Sequence, residues 1–168
     1  MASGSFDPFP LFRVLHQHEV AYVVIGIIAA IAQGYPMTTR DVDVTPSRDP
    51  ANVERLAIAL RELHAQLRTP GEPVDFPIDP TYLARVDSWT LLTSQGELDI
   101  LFAPSGTRGY ADLKRDAIEL DLGVPVMVAS LRDVIRMKEA SARPKDLAQL
   151  PALRRTLEVV RRREAEGS

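Results

Sequence analysis

The chain has 168 residues, of which 45% are hydrophobic and 26% are charged. This balance is typical of one globular domain and excludes the disordered and fibrous classes, so we expect a single domain over residues 1–168. The net charge of -3 gives no general signal for nucleic-acid binding, although the basic stretch from Arg132 to Arg163 predicts a solvated helix face or a local basic surface. Because cysteine is absent, disulfides, thiol catalysis and thiolate metal sites are excluded.

The N-terminal residues and the apolar runs do not predict export or membrane insertion. Residues 1–5 lack a basic start followed by an apolar segment, so no secretory signal is expected. The longest apolar stretch, Tyr22 to Ala32, is far shorter than the roughly 20 residues of a membrane span. We therefore expect a cytoplasmic protein with no membrane partner.

The first part of the chain predicts a helix, a buried strand and a second helix. Apolar residues at helical spacing predict a helix over Phe9 to Glu19. The dense β-branched and aromatic run from Val20 to Ile25 predicts a buried strand. Gly26 then separates this strand from a short helix over Ile27 to Gln33, which ends at Gly34.

The next segment, Asp41 to Thr45, alternates polar and apolar residues as a strand does. Since side chains alternate between the faces of a strand, Asp41 and Asp43 share one face, while Val42 and Val44 point into the core. This pattern predicts two neighbouring carboxylates on one side of a sheet.

The middle of the chain predicts a helix, a loop and a hairpin. Asn52 has the character of an N-cap for an amphipathic helix that reaches Leu67. The four prolines and one glycine in Thr69 to Pro80 predict a loop. Ser88 to Thr93 and Glu97 to Phe102 predict the two strands of a β-hairpin.

The second hairpin strand carries a third carboxylate. Alternation puts Leu98, Ile100 and Phe102 on one face and leaves Glu97 and Asp99 on the other. A carboxylate among apolar neighbours is costly to bury unless it has a partner, so Asp99 is a candidate functional residue.

The C-terminal part predicts further helices and one strand. We expect a helix over Gly109 to Glu119 and a short strand over Val124 to Val128. A capping pattern at Ser130 predicts a helix to about Ala142. Pro144 and Pro151 then predict the starts of two final helical pieces.

Three aspartates on two strands suit a hard divalent cation. Mg²⁺ or Mn²⁺ takes one or two protein carboxylates, keeps several waters and completes its shell with substrate phosphate oxygens. Taken alone, the Asp-x-Asp pair of Asp41 and Asp43 also fits an ordinary surface strand. Gly26 adds a second signal, because a helix N-terminus reached through a glycine presents free N–H groups to a phosphate.

The joint order of these pieces resembles the nucleotidyltransferase superfamily. Val23 to Asp43 resembles its glycine turn followed by a hydrophobic-Asp-hydrophobic-Asp strand, and Glu97 to Phe102 resembles the strand of its third carboxylate. Ser130 to Leu150 is similar to the C-terminal helices of the abortive-infection, AbiEii-like toxin branch. The resemblance implies an α+β (α/β) fold with a mixed β-sheet flanked by helices, a core over about 20–128 and a C-terminal helical part over about 130–164.

The resemblance also implies an activity, which is metal-dependent transfer of a nucleotide from a nucleoside triphosphate (NTP) to an acceptor hydroxyl. The acceptor would be RNA, including tRNA, or a protein, and the chain would be the toxin of a toxin–antitoxin pair with an antitoxin partner. Asp41 and Asp43 would bind Mg²⁺ or Mn²⁺. Asp99 would be a third metal ligand or the base that receives the hydroxyl proton.

The resemblance implies that Gly26, Ile27 and basic side chains bind the phosphates of the NTP. Lys138 would act in catalysis by neutralising triphosphate charge, and Arg143 or Lys145 would help. The family has a second glycine or a serine where this chain has Ile27, whose side chain neither allows close phosphate approach nor donates a hydrogen bond. The alternative is therefore a catalytically degenerate relative that binds a nucleotide or a metal.

Other candidate residues have competing interpretations. Asp41, Asp99 and Glu97 could serve a metal-dependent nuclease, but the glycine turn would then have no role. For Glu97, at the start of its strand, a solvated position is favoured over the metal site.

The aromatic and histidine residues predict ordinary structural positions. Trp89 near Tyr82 could stack on a base, but burial in the hairpin core is favoured. His16 and His18 do not share a helix face, and His64 lies on an amphipathic helix, so each is predicted to be a surface residue and not a metal ligand.

Overall fold

The computed structural model describes residues 6–168 of the chain. Residues 1–5, where no secretory signal is predicted, lie outside the described residues. No helix within 6–168 combines the length and the hydrophobicity that a membrane crossing requires. The organisation of residues 1–168 as one domain stays a prediction.

Helices and strands alternate along the described chain. The helices are α1 (Phe9–Gln17), α2 (Gly26–Ala32), α3 (Pro50–Glu62), α4 (Pro80–Arg85), α5 (Tyr110–Lys114), α6 (Leu131–Ser141) and α7 (Pro144–Glu166). The strands are β1 (Tyr22–Ile25), β2 (Asp41–Pro46), β3 (Gln66–Leu67), β4 (Ser88–Thr93), β5 (Gly96–Leu101), β6 (Ile118–Asp121) and β7 (Pro125–Val128).

The strands form one mixed sheet in the order β3-β4-β5-β2-β1-β7-β6. β4 and β5 form the predicted antiparallel hairpin, and β6 and β7 form a second antiparallel pair. β2 pairs antiparallel with β1 but parallel with β5, and β1 pairs parallel with β7. This architecture confirms the predicted mixed β-sheet flanked by helices.

The predicted alternation of apolar side chains holds in the two central strands. Val42 and Val44 of β2, like Leu98 and Ile100 of β5, are at most 1% exposed and belong to the hydrophobic core. Burying each such side chain stabilises the fold by about 1.5–3 kcal/mol. The aspartates between them therefore face the opposite side of the sheet, in fixed positions.

The prediction that Asn52 caps a helix reaching Leu67 is wrong. Asp49 is the cap, because its side chain accepts a hydrogen bond from the Ala51 N–H at 3.0 Å. The buried Asn52 side chain instead accepts from the Ala21 N–H at 2.7 Å and donates to the Ala21 carbonyl at 3.0 Å, which ties α3 to the start of β1. The helix ends at Glu62, and Gln66–Leu67 forms the strand β3, which pairs with β4.

Two C-terminal predictions are also corrected. The helix predicted to run to Glu119 ends at Lys114, since Ile118–Asp121 pairs with β7. The two predicted final pieces are one helix, α7, which continues through Pro151. Proline removes one hydrogen bond to the carbonyl of residue 147, and that turn of the helix is exposed, so water can replace the bond.

Candidate functional site

Gly26 brings the start of α2 against the Asp43 side chain. Gly26 has a φ of +69°, a conformation that side chains other than glycine rarely adopt. A Cβ atom built at this position would overlap the Asp43 carboxylate. Glycine is therefore required both by the turn from β1 into α2 and by the closeness of Asp43.

The parallel pairing of β2 with β5 assembles a carboxylate patch, consisting of Asp41, Asp43, Glu97 and Asp99. The register places Asp43 opposite Asp99 and Asp41 opposite Glu97. Neighbouring strands lie about 4.8 Å apart, so all four side chains share one face at close range. The three predicted aspartates thus lie on the same face of the sheet, and Glu97 joins them.

Burial and neighbouring like charges raise the pKa values of carboxyl groups in the patch. Burial, followed by repulsion from Asp99 and Asp41, raises the pKa of Asp43 to about 7, against the attraction of Lys138. A side-chain hydrogen bond between Asp43 and Asp99 adds to the rise in the pKa of Asp43. Burial also raises the pKa of Asp99, and a hydrogen bond with Asp41 raises that of Glu97. The raised pKa places the titration of the Asp43 carboxyl near neutral pH.

Arg68 is a site residue that the sequence analysis missed. It lies just beyond β3 and contacts Asp99 at 2.9 Å and Glu97 at 3.3 Å. Because β3 was predicted as the end of a helix, nothing in the local pattern pointed Arg68 towards β5. Pairing of β3 with β4 is what brings this arginine to the carboxylate patch.

Asp43 and Asp99 open onto a cleft of about 200 Å³ between the sheet and the α6–α7 corner. Gly26 lies on the same wall, and Lys138 and Arg143 line the other side. Leu101, Pro104, Val134 and Met137 are among the apolar lining residues. The cleft thus combines two carboxylates, a helix N-terminus, two cationic side chains and an apolar wall.

Asp146 holds the two cations of the cleft in place. The buried Asp146 carboxylate accepts from Arg143 Nε at 2.7 Å and from Lys138 Nζ at 3.3 Å. Although burial opposes ionisation, hydrogen bonds from Arg143, Ser141 and Lys138 lower the pKa of Asp146 to about 2. Asp146 is therefore ionised at neutral pH and keeps Lys138 and Arg143 beside the cleft.

Three of the predicted site residues do not line the cleft. Asp41 lies on the patch but outside the cleft lining, and Lys145 is exposed at the start of α7. Ile27 is half-buried and packs against the hydrophobic core. Their predicted roles in binding and catalysis stay predictions.

The carboxylates of the patch suit a divalent metal only in part. Among residues 6–168 no three His, Cys, Asp or Glu side chains are arranged to enclose a metal ion. Asp43 and Asp99 nevertheless fit a cation that takes one or two protein carboxylates and fills its shell with water and phosphate. The raised pKa of Asp43 supports this fit, because a bound cation would relieve the repulsion from Asp99 and Asp41 that contributes to it.

The remaining aromatic and histidine candidates contact residues outside the cleft. Trp89 is buried, stacks on Phe76 and donates its ring N–H to the Leu83 carbonyl at 3.1 Å, which confirms the predicted core position. His18 contacts Glu62 at 2.6 Å near the protein surface.

The pKa of Asp43 predicts a pH-dependent stability in metal-free protein. A carboxyl whose pKa rises from 3.8 unfolded to about 7 folded stabilises the fold below pH 4, and this contribution is lost as pH rises through 7. We expect a loss on the order of 2–4 kcal/mol in the free energy of unfolding between pH 4 and pH 8. Urea denaturation in EDTA should measure it, and Asp43→Asn should remove this part of the slope. An identical slope in the variant would contradict the assignment.

Comparisons with known proteins identify the fold of this chain. No protein-family model and no curated protein sequence matches the chain. Among solved structures, a crystal structure of ANT(2'')-Ia in complex with adenylyl-2''-tobramycin is similar with a TM-score of 0.56 and 14% identity, covering 94% of this chain and 95% of that one. This chain has the nucleotidyltransferase fold.

Two further structures share the nucleotidyltransferase fold with this chain. The solution structure of the antibiotic-resistance factor ANT(2'')-Ia has a TM-score of 0.53 and 15% identity, over 93% of this chain and 88% of that one. A protein of Thermotoga maritima assigned as a nucleotidyltransferase has a TM-score of 0.53 and 15% identity, over 89% of each chain. At this identity the nucleotidyltransferase fold is shared, while the chemistry has to be argued from the site.

Proposed function

We propose that this protein is a metal-dependent nucleotidyltransferase that moves a nucleotide from an NTP to an acceptor hydroxyl. The observation that carries the proposal is the arrangement of Asp43 and Asp99 in one cleft with Gly26 and Lys138. Carboxylates that bind a divalent cation, N–H groups at a helix start and a lysine are the groups that a triphosphate requires. The shared fold with nucleotidyltransferases supports the same reaction class.

In the proposed reaction the acceptor oxygen forms a bond to the α-phosphorus of the NTP. The bond from that phosphorus to the oxygen leading to the β-phosphate breaks, and pyrophosphate leaves. Asp99, in its ionised form, receives the proton of the acceptor hydroxyl. Mg²⁺ or Mn²⁺ held by Asp43 and Asp99, with Asp41 at the edge of the patch, would supply charge neutralisation for the phosphates.

Lys138 and Arg143 would neutralise the triphosphate from the opposite wall. Both side chains are restrained by the ionised Asp146, so they need little reorganisation when an anion enters. The backbone N–H groups at the start of α2 would add a positive dipole end next to Gly26. Lys145, which is exposed outside the cleft, would contribute through its charge only.

The acceptor we propose is RNA, including tRNA, or a protein, with the chain acting as an AbiEii-like toxin controlled by an antitoxin. This part rests on the sequence resemblance of the C-terminal helices. One structural neighbour is a complex with an adenylylated aminoglycoside, so small hydroxyl compounds belong among the acceptors tested.

The proposal is tested by incubating the full chain with each α-³²P-labelled NTP, Mg²⁺ and total cellular RNA or protein. Label should appear on a macromolecule in wild type and disappear with EDTA or in Asp43→Asn. RNA cleavage without NTP would support a nuclease instead. NTP binding without transfer to any acceptor would support the degenerate alternative.

A substitution at Ile27 distinguishes the active enzyme from the degenerate alternative. Because Ile27 packs against the core and does not line the cleft, Ile27→Ser should lower the free energy of unfolding by about 1–3 kcal/mol. The affinity for NTP should stay within about twofold of the wild-type value, since the Ile27 side chain does not line the cleft where the backbone N–H groups of α2 would bind phosphate. Thermal melts and calorimetric NTP titrations of both proteins check this. Tighter NTP binding with unchanged stability would mean that Ile27 obstructs the site.

A further inference from the structure

Arg68 is held in place by contacts with two strands, β4 and β5. Its backbone N–H donates to the Thr90 carbonyl at 3.0 Å, and its Nη1 donates to the Leu91 carbonyl at 3.2 Å. Its Nη2 donates to Asp99 Oδ1 at 2.9 Å, while Nη1 lies 3.3 Å from Glu97 Oε2. The guanidinium is thus held by the β4 backbone and by both acidic side chains of β5.

The surroundings of this arginine differ from those of an ordinary surface ion pair. The Arg68 and Asp99 side chains are only 26% and 25% exposed. Among the described residues, Arg68 supplies every ion pair made by Asp99 and Glu97. Lys138 lines the cleft, whereas Arg68 does not. Arg68 therefore contacts Asp99 from outside the cleft lining.

We infer that Arg68 is a positioning residue for Asp99, an inference that rests on the proposed nucleotidyltransferase function. Arg68 donates to Asp99 Oδ1 and leaves the second oxygen, Oδ2, without a contact to the guanidinium. That second oxygen is the one that receives the acceptor proton in the proposed reaction. A planar guanidinium bound to a backbone carbonyl fixes this orientation better than a flexible ammonium group does.

The same contact also opposes metal binding by charge. Without Arg68, the patch of Asp41, Asp43, Glu97 and Asp99 has no cation paired with it among the described residues. A divalent ion would then bind more tightly, because it would no longer compete with an arginine. Removing Arg68 should therefore lower turnover, because Asp99 loses its orientation, and raise metal affinity, because a competing positive charge is lost.

The test compares wild type, Arg68→Gln, Arg68→Lys and a matched control, Arg55→Gln. Arg55 donates to the Glu19 carbonyl from α3, outside the patch, and its replacement changes the net charge equally. Mn²⁺ affinity is measured on nucleotide-free protein by electron paramagnetic resonance. The kcat and the KM for NTP are measured with the acceptor found above, and thermal melts check folding.

For Arg68→Gln we expect kcat to fall about 10- to 100-fold with a change in KM below about threefold, as for loss of an orienting group. Mn²⁺ affinity should rise about threefold or more in that variant. Arg68→Lys should keep the metal affinity of wild type but recover only part of kcat. An Arg68→Ala variant should regain turnover when methylguanidinium is added. Arg55→Gln should resemble wild type in every measurement.

An unchanged kcat in a folded Arg68→Gln would overturn the inference. An increased kcat would overturn it too, because Arg68 would then inhibit the reaction. If the glutamine variant does not fold, the same two outcomes in Arg68→Lys decide. Absence of transfer in wild type would refute the proposed function instead. In that case the Mn²⁺ titration and a crystal structure of Arg68→Gln decide separately, because an Asp99 carboxylate that keeps its orientation would exclude positioning by Arg68.

Discussion

Asp43→Asn is expected to abolish nucleotide transfer, with kcat lowered by about a thousandfold or more. Asparagine keeps the shape of the side chain next to Gly26 but loses the charge that a divalent cation needs. The fold should remain intact and should gain stability at pH 8, because ionised Asp43 is repelled there by Asp99 and Asp41. Steady-state kinetics at saturating Mg²⁺ and urea denaturation measure the two effects.

The matched control for this prediction is Asp121→Asn at the edge strand β6. Asp121 accepts a hydrogen bond from the Gly123 N–H at 3.0 Å and lies outside the cleft, so the same chemical change should leave kcat unaltered. Transfer activity that survives in Asp43→Asn, with label still incorporated at saturating Mg²⁺, would remove Asp43 from the reaction.

Gly26→Ala is expected to damage both the fold and the site. The added Cβ would overlap the Asp43 carboxylate, and alanine is strained at a φ of +69°. We expect a loss of about 2–4 kcal/mol in the free energy of unfolding, from strain plus displacement. Because Asp43 must move to make room, kcat should fall about 100-fold or more. Thermal melts and the transfer assay measure both losses.

Gly34→Ala separates backbone strain from the overlap with Asp43. Gly34 also has a positive φ, +105°, but a Cβ there would meet nothing within 4 Å. This control should lose stability through strain alone and keep its turnover. If Gly26→Ala and Gly34→Ala lowered stability alike and both kept full activity, the close approach of Gly26 to Asp43 would have no functional importance.

The sequence by itself determined the local elements that carry the site. Alternation in Asp41 to Thr45 and in Glu97 to Phe102 decides which side chains face the core, because strand geometry requires only neighbours along the chain. The β-branched run before Gly26 likewise determines a buried strand and the turn into α2. These local rules placed Asp41, Asp43 and Asp99 on the strand faces away from the core, and the order of the pieces, which resembles nucleotidyltransferases, made them candidates. The mixed sheet that the resemblance implied is confirmed.

Elements whose state depends on distant partners were not determined locally. Ile118–Asp121 is a strand only because it pairs with β7, and Gln66–Leu67 only because it pairs with β4. Asn52 has the chemistry of a cap, but the backbone of Ala21, which it ties down, is distant in sequence. Helix propensity is weak beside such tertiary contacts, so these predictions failed.

Only the tertiary structure decided how the site is assembled. The parallel register of β2 and β5 sets Asp43 against Asp99, and their proximity together with burial raises the pKa of Asp43 to about 7. The sheet edge brings Arg68 to Asp99, and the α6–α7 corner ties Lys138 to Asp146. Such contacts join residues far apart in sequence, and local patterns carry no information on register. The sequence therefore determined which groups were available, while burial and distance in the folded chain determined their charge and orientation.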